Sequence, residues 1–222
     1  MNTQKAQEAV KDFGPKEVQH YIPYWEAITP KTDEEVFRRW LFAYLSIHTT
    51  WESNVRGYEM LKDLSWWNDK QMLLDKLILS KCGMQNARQK YIWQFREQFE
   101  KNPSYYGKIS DSWIKTRNKL TEECHGIGIT KVSFVLEMCH PLDAQVVCLD
   151  THLLQLYEIT GTKTKAQVQT YHDAEEHWLN MSNGKGIAPY ILRSAFWDKK
   201  QGYEDNDYWA YVFTPNGKPT TG

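Results

Sequence analysis

The chain has almost no net charge. Its 27 Lys and Arg are set against 28 Asp and Glu, which leaves a formal charge of −1 over 222 residues. Proteins that coat nucleic acid nonspecifically carry a basic excess, so any such contact here has to be local and geometric. No apolar run approaches the roughly 18 residues of a membrane span, and no membrane partner is expected. The polar start MNTQKAQEAVKDFG lacks a signal-peptide core. Cysteine is scarce: Cys82, Cys124, Cys139 and Cys148 form no Cys-x-x-Cys pair, and none follows Cys148. That spacing argues against zinc or iron–sulfur ligation and for reduced, buried thiols. His140, His152, His172 and His177 make no metal pattern either, and His172 and His177 fall with Glu175 and Glu176 on what reads as a solvated helix face. Internal repeats, low-complexity blocks and long linkers are absent.

Aromatic residues are plentiful: 10 Trp, 13 Tyr and 8 Phe. Core filling is their first expectation and base stacking the alternative. Trp66-Trp67 pose the same choice, an anchor into the core or a wall of a base pocket. Helical periodicity runs through most of the chain. Helices are expected over 3–12, 33–48, 51–63, 69–80, 86–100, 112–123, 129–139, 150–159, 164–181 and 187–199. Thr32 and Glu35 form a capping box, and Val36, Trp40, Leu41, Tyr44 and Leu45 share one face. Leu73, Leu74, Leu77 and Ile78 are the expected buried face of 69–80, and Gly83 ends that helix. Pro23 and Pro30 suggest a short helix plus irregular chain over 16–31. Ser110-Asp111 are read as a cap, and Asn183-Gly184-Lys185-Gly186 as a loop. Ala144 to Leu149 is extended and apolar, with no second strand to pair with. The stretch 198–207 reads as charged surface, and the last twenty residues as an ordered strap and a loose tail. The class is all-α.

One stretch, LTEECHGIGITKVSFVLEMCHPLDAQVVCLDTHLLQLY (120–157), carries the chemistry. A helix, a Gly-x-Gly turn and a second helix are followed by an Asp that opens a third. Gly126 and Gly128 allow backbone angles and close approaches that a Cβ forbids. The amides around Gly126, Ile127, Gly128 and Thr130, with the helix dipole behind them, form a ready site for a phosphate, and Lys131 adds charge. Asp150 stands at an N-cap position. By themselves, the turn is a packing device and Asp150 a cap.

Together with their neighbours these residues resemble a family. G126-I-G-I-T-K-V-S-F-V-L136 followed by L149-D-T-H152 is similar to the signature of the helix-hairpin-helix, endonuclease III-like DNA glycosylases, in which the hairpin reads L-P-G-[VI]-G and the catalytic Asp lies in V-D-T-H. Leu45-Ser46-Ile47-His48-Thr49-Thr50 resembles that family's L-S-x-Q-x-T, and Gly83 to Lys90 its G-[LF]-x-x-x-K-A. The likeness covers about residues 36–160. It implies an all-α, two-lobed fold with lobes at 33–149 and at 1–32 plus 150–222, double-stranded DNA across the cleft between them, and a monomer in the cytoplasm or at the nucleoid. It implies Asp150 as the catalytic carboxylate, the hairpin amides and Lys131 on the DNA backbone, and His48 in place of the Gln that fills the gap left by a flipped base. No iron–sulfur cluster is implied. A monovalent cation at the hairpin is the one inorganic group the resemblance suggests.

Three departures mark a divergent member. His125 replaces the hairpin Pro, Val132 replaces its Ala, and Thr130 stands where bifunctional relatives carry the Schiff-base Lys. Lys131 is one residue later, rotated by about 100° on a helix, and is kept as a minor nucleophile candidate. The expected reaction is excision of a damaged, mismatched or modified base by water. Two alternatives stay open: modification of a base such as a hypermodified thymine in viral DNA without excision, and lesion binding without catalysis.

Overall fold

The computed structural model describes residues 1–162, 164–202 and 213. Among the described residues the regular structure is helical: α1 Thr3–Ala9, α2 Pro15–Val18, α3 Tyr21–Ile28, α4 Asp33–Leu45, α5 Trp51–Leu61, α6 Lys70–Ser80, α7 Gln85–Lys101, a 3₁₀ turn Pro103–Tyr105, α8 Trp113–Glu123, α9 Ile129–Cys139, α10 Thr151–Leu156, α11 Lys165–Gly184 and α12 Pro189–Gln201. The all-α expectation holds. Helix starts follow their capping chemistry. The Glu35 amide donates to Thr32 Oγ1 at 3.2 Å while the Glu35 carboxylate accepts from the Thr32 amide at 3.0 Å. Thr164 caps α11 with the same reciprocal pair, and the side chains of Asp69 and Thr50 cap α6 and α5.

Several boundaries differ from the sequence reading. Residues 15–28 are largely helical because Pro23 falls in the first turn of α3, where its missing N–H has no intrahelical role. Ser112, rather than Ser110-Asp111, caps α8. α11 runs through Asn183 and Gly184, and the turn is made at Lys185 and at Gly186, whose φ is +68°. Ile78 is 52% exposed, while Leu73 and Leu77 carry the buried face of α6.

The described residues fall into two compact units. One takes Pro30–Val135 and Phe213, and the other takes Met1–Thr29 and the chain from Leu136. The first packs α4 against α5 and α7, and α6 against α5 and α7. Its centre is a ring cluster in which Phe37 lies 5.7 Å from Phe95 and 5.1 Å from Phe99, and Trp40 lies 4.8 Å from Phe95. Trp66 is wholly buried there, and its indole N–H donates to the Leu61 carbonyl at 2.8 Å. It is the anchor of the α5–α6 turn, not a pocket wall. Phe213 is buried against Phe42 and Tyr58 beneath the Arg39 guanidinium. The rest of the expected strap and tail lies outside the described residues.

The second unit packs α1 on α10 and α11, and α12 on α2 and α11. Trp25, Trp178, Tyr171 and Tyr190 fill its core. Asp198 is buried and accepts the Tyr21 hydroxyl at 2.8 Å, so it is interior, while Lys199 to Gly202 are exposed as the sequence suggests. The extended segment Val146–Leu149 is buried, with no ladder partner among the described residues. Side chains replace the missing strand. Glu175 accepts from the Val147 amide at 2.8 Å, and the Tyr171 hydroxyl donates to the Val147 carbonyl at 2.6 Å. Glu175 is thus buried, not on a solvated face, because an unpaired amide in the interior demands an acceptor.

Deleting the Trp66 ring removes a full interior side chain. Trp66→Ala should cost about 3–5 kcal/mol, read from the shift in urea midpoint.

Candidate active site

The hairpin lies between α8 and α9. Ile127 is buried and pins the turn, while Gly126 and Gly128 are exposed. The two glycines do different work. Gly126 has φ +80°, and a Cβ there would meet the Tyr91 ring at 2.2 Å. Gly128 begins α9, its carbonyl accepting the amides of Lys131 and Val132, and a Cβ on it would meet nothing within 4 Å. The protein interior therefore demands glycine at 126 only. At 128 the small residue keeps clear the approach to the first amides of an eleven-residue helix, the place where an anion binds. Thr130 and Lys131 are the second and third residues of α9, and the Lys131 ammonium lies 5.5 Å from the centre of the Phe134 ring. For a cation at the turn, the His125 carbonyl is already taken by the Tyr44 hydroxyl and that of Gly128 by the helix. The carbonyls of Gly126 and Ile127 would be the ones to hold it.

His48 stands between α4 and α5 in the same unit. It is exposed, with a left-handed φ of +49°, a conformation that costs a non-glycine residue about 1–2 kcal/mol. Arg88 holds it there. That buried guanidinium donates to the carbonyls of Tyr44, Leu45 and Ile47 at the end of α4, and to Gly83 at the start of its own loop. Three residues further along α7, Tyr91 packs against Gly126. One helix thus supports both the His48 loop and the hairpin. The sequence placed His48 and Gly126–Lys131 as site residues but missed Arg88 and Tyr91, although both lie in or beside the Gly83–Lys90 match.

Asp150 belongs to the other unit. It is the N-cap of α10: Oδ1 accepts from the amides of His152 at 2.9 Å and Leu153 at 3.0 Å. Oδ2 lies 3.7 Å from Arg193 Nη1, and the side chain is 18% exposed. Arg193 is buried on α12 and grips Glu137 with two nitrogens, Nε to Oε1 at 3.0 Å and Nη2 to Oε2 at 2.8 Å. Burial pushes the Glu137 carboxyl up to about 7, against the pull of Arg193 and the Cys148 amide, and the charge of Asp150 adds to the rise. Burial works against the Arg193 charge most strongly, but Glu137, Cys148, Tyr190 and Asp150 together outweigh it and hold the guanidinium protonated. Sequence reasoning missed both residues. The signal was present: each is the one charged residue in an otherwise largely apolar turn, VLEMC and YILRSAF. The four cysteines are buried and form no disulfide among the described residues. Among the described residues no three His, Cys, Asp or Glu side chains gather as a metal site, and no helix is long and apolar enough to cross a membrane.

Two stability measurements check this geometry. Gly126→Ala combines a left-handed φ with overlap on Tyr91 and should cost about 2–5 kcal/mol, whereas Gly128→Ala should cost about 1 kcal/mol or less. For Glu137, the folded state keeps its proton from the ordinary 4.5 up to about 7 while the unfolded chain has lost it. Its contribution to stability is complete below 4.5 and declines as pH rises through that window. Urea midpoints across it should show that decline in the wild type and a flatter profile in Glu137→Gln.

No family model matches the chain. An 8-oxoguanine DNA glycosylase/AP lyase of Thermoplasma acidophilum is 25% identical over 182 residues, covering 82% of this chain and 87% of that protein. The crystal structure of the 8-oxoguanine DNA glycosylase of Thermotoga maritima superposes with a TM-score of 0.72 at 19% identity, over 92% of this chain and 100% of that one. The Methanocaldococcus jannaschii 8-oxoguanine DNA glycosylase gives 0.70 at 21% identity, over 83% and 86%. The M. jannaschii glycosylase/lyase in complex with a 15mer DNA containing 8-oxoguanine gives 0.69 at 19% identity, over 92% and 99%. The chain thus shares the helical fold of these glycosylases and is similar to one of them along most of its length, and the spacing from Gly126-x-Gly128 to Asp150-Thr151-His152 is in keeping with that likeness.

Proposed function

We propose that the protein is a DNA N-glycosylase that extrudes a damaged purine, 8-oxoguanine first among candidates, and hydrolyses its glycosidic bond with water as the nucleophile. The observation that carries this is the state of the Asp150 carboxylate. One oxygen is tied to two amides, and the other accepts no hydrogen bond among the described residues and faces a buried cation. A carboxylate fixed on one side and available on the other suits stabilisation of the oxocarbenium-like sugar that forms as the base departs. In the proposed step the C1′–N9 bond breaks with its electron pair leaving on the base. Water then bonds to C1′ and gives its proton to Asp150, the departed base anion takes up that proton through solvent, and the products are a free base, an abasic site and the regenerated carboxylate. The α9 amides and Lys131 would take a backbone phosphate, and His48, presented on the loop that Arg88 braces, would enter the vacated stack. A monovalent cation on the hairpin carbonyls would add to the grip on the phosphate.

The choice of 8-oxoguanine follows the names of the relatives. The choice of water follows Thr130, which has no amine to offer a sugar. The same threonine also suits modification of a base without its excision, so the assay has to register both. Duplexes bearing single modified bases, with 8-oxoguanine opposite cytosine first, should yield free base and alkali-labile sites, no strand break before alkali and no borohydride-trapped adduct. Asp150→Asn should abolish release while duplex affinity stays within about twofold. Unchanged turnover in that variant would remove Asp150 from the chemistry. A trapped adduct that vanishes in Lys131→Gln would make Lys131 the nucleophile, and a nucleoside of altered mass without an abasic site would favour modification.

A further inference from the structure

We infer that Arg193, braced by Glu137, is the positioning residue that fixes the direction and electrostatic surroundings of the Asp150 carboxylate. This rests on the reading of Asp150 as the catalytic group. Arg193 is 5% exposed and Glu137 is completely buried. A buried ion pair is a poor means of gaining stability, since apolar residues of similar volume serve as well or better, so its presence beside this carboxylate points to a use. The geometry supplies one. Glu137 takes Nε and Nη2 of the planar guanidinium, which fixes the third nitrogen, Nη1, at 3.7 Å from Asp150 Oδ2. That separation is too long for a hydrogen bond. Arg193 therefore acts on Oδ2 through its charge and leaves the oxygen's lone pairs to a water or a sugar.

The bracing extends to the backbone. The Cys148 amide favours the Glu137 charge, which couples the ion pair to the chain two residues before Asp150. On the other side the amides of His152 and Leu153 hold Oδ1. The remaining titratable groups around the cluster are Cys148, Tyr190, whose ring centre is 4.9 Å from the Arg193 guanidinium carbon, and His152, whose Nε2 is 2.8 Å from the Gln201 amide nitrogen.

The test is single-turnover release of 8-oxoguanine from a duplex across pH, with duplex affinity and thermal melting measured for each variant. Arg193→Met should slow release by about 100-fold through misplacement of the carboxylate, leave affinity unchanged, and move the acid limb of the rate profile to higher pH, because an attracting charge is lost. Arg193→Lys should restore the limb but not the full rate, since a point charge lacks the planar fork. Glu137→Gln should leave the limb in its original place, because the raised Glu137 carboxyl is already protonated there and has no charge to lose. Arg193→Met with Glu137→Leu removes both charges, so it should melt near the wild type yet remain slow. A wild-type rate and limb in Arg193→Met, an upward limb in Glu137→Gln, or full recovery in the double variant would each overturn the inference. Inactive wild type, or active Asp150→Asn, would overturn the reading of Asp150 and this inference with it. Inactive Asp150→Asn beside a wild-type profile for Arg193→Met would overturn this inference alone.

Discussion

The buried chain from Val146 to Asp150 has no strand beside it, and the structure of its unit is arranged to satisfy it. An interior amide without an acceptor costs about 1–3 kcal/mol. Here the acceptors come from a helix: Glu175 for Val147, with the Tyr171 hydroxyl 3.3 Å from the Leu149 amide. Each of these bonds fixes one more residue of the approach to Asp150, so the carboxylate is delivered by a segment with little freedom. Arg193 then becomes a necessity of the interior. It offsets the charge that Glu137 brings inside, and Glu137 in turn keeps a guanidinium buried at the side of Asp150.

The other unit solves a different problem, the presentation of exposed parts without letting them move. His48 is held in a left-handed conformation, and the hairpin turns through Gly126 with φ +80°. Both would relax if unsupported. Arg88 and Tyr91, one turn apart on α7, supply the support: the first by binding three carbonyls at the end of α4, the second by packing on a glycine that no other residue could replace. Gly128 has no such constraint from within, and its smallness serves whatever lies outside the chain.

Much of this was legible in the sequence and some was not. The helices followed from apolar spacing and from caps such as Thr32–Glu35, because those signals are local. The extended piece before Asp150 was recognised, and so was its lack of a partner. What replaced the partner was invisible, because Tyr171 and Glu175 reach it from another helix. Glu175 was misplaced on the surface for a similar reason: periodicity cannot tell a carboxylate facing water from one accepting a buried amide. Asp198 was misplaced likewise. The split between Gly126 and Gly128 also needed three dimensions, since only the neighbouring Tyr91 ring distinguishes them. Thr130 in place of a lysine was plain from the start and remains the reason to expect water as nucleophile.

The central claim is that base release passes through an oxocarbenium-like sugar stabilised by Asp150 and captured by solvent. Methanol can compete with water for such a sugar, so the most direct measurement is mass analysis of the DNA product after excision in a methanol–water mixture. A C1′ methoxy sugar from the wild type, and none from Asp150→Asn, is the result this account predicts. Release of the base with no methoxy product, together with a borohydride-trapped link between DNA and a lysine, would contradict it.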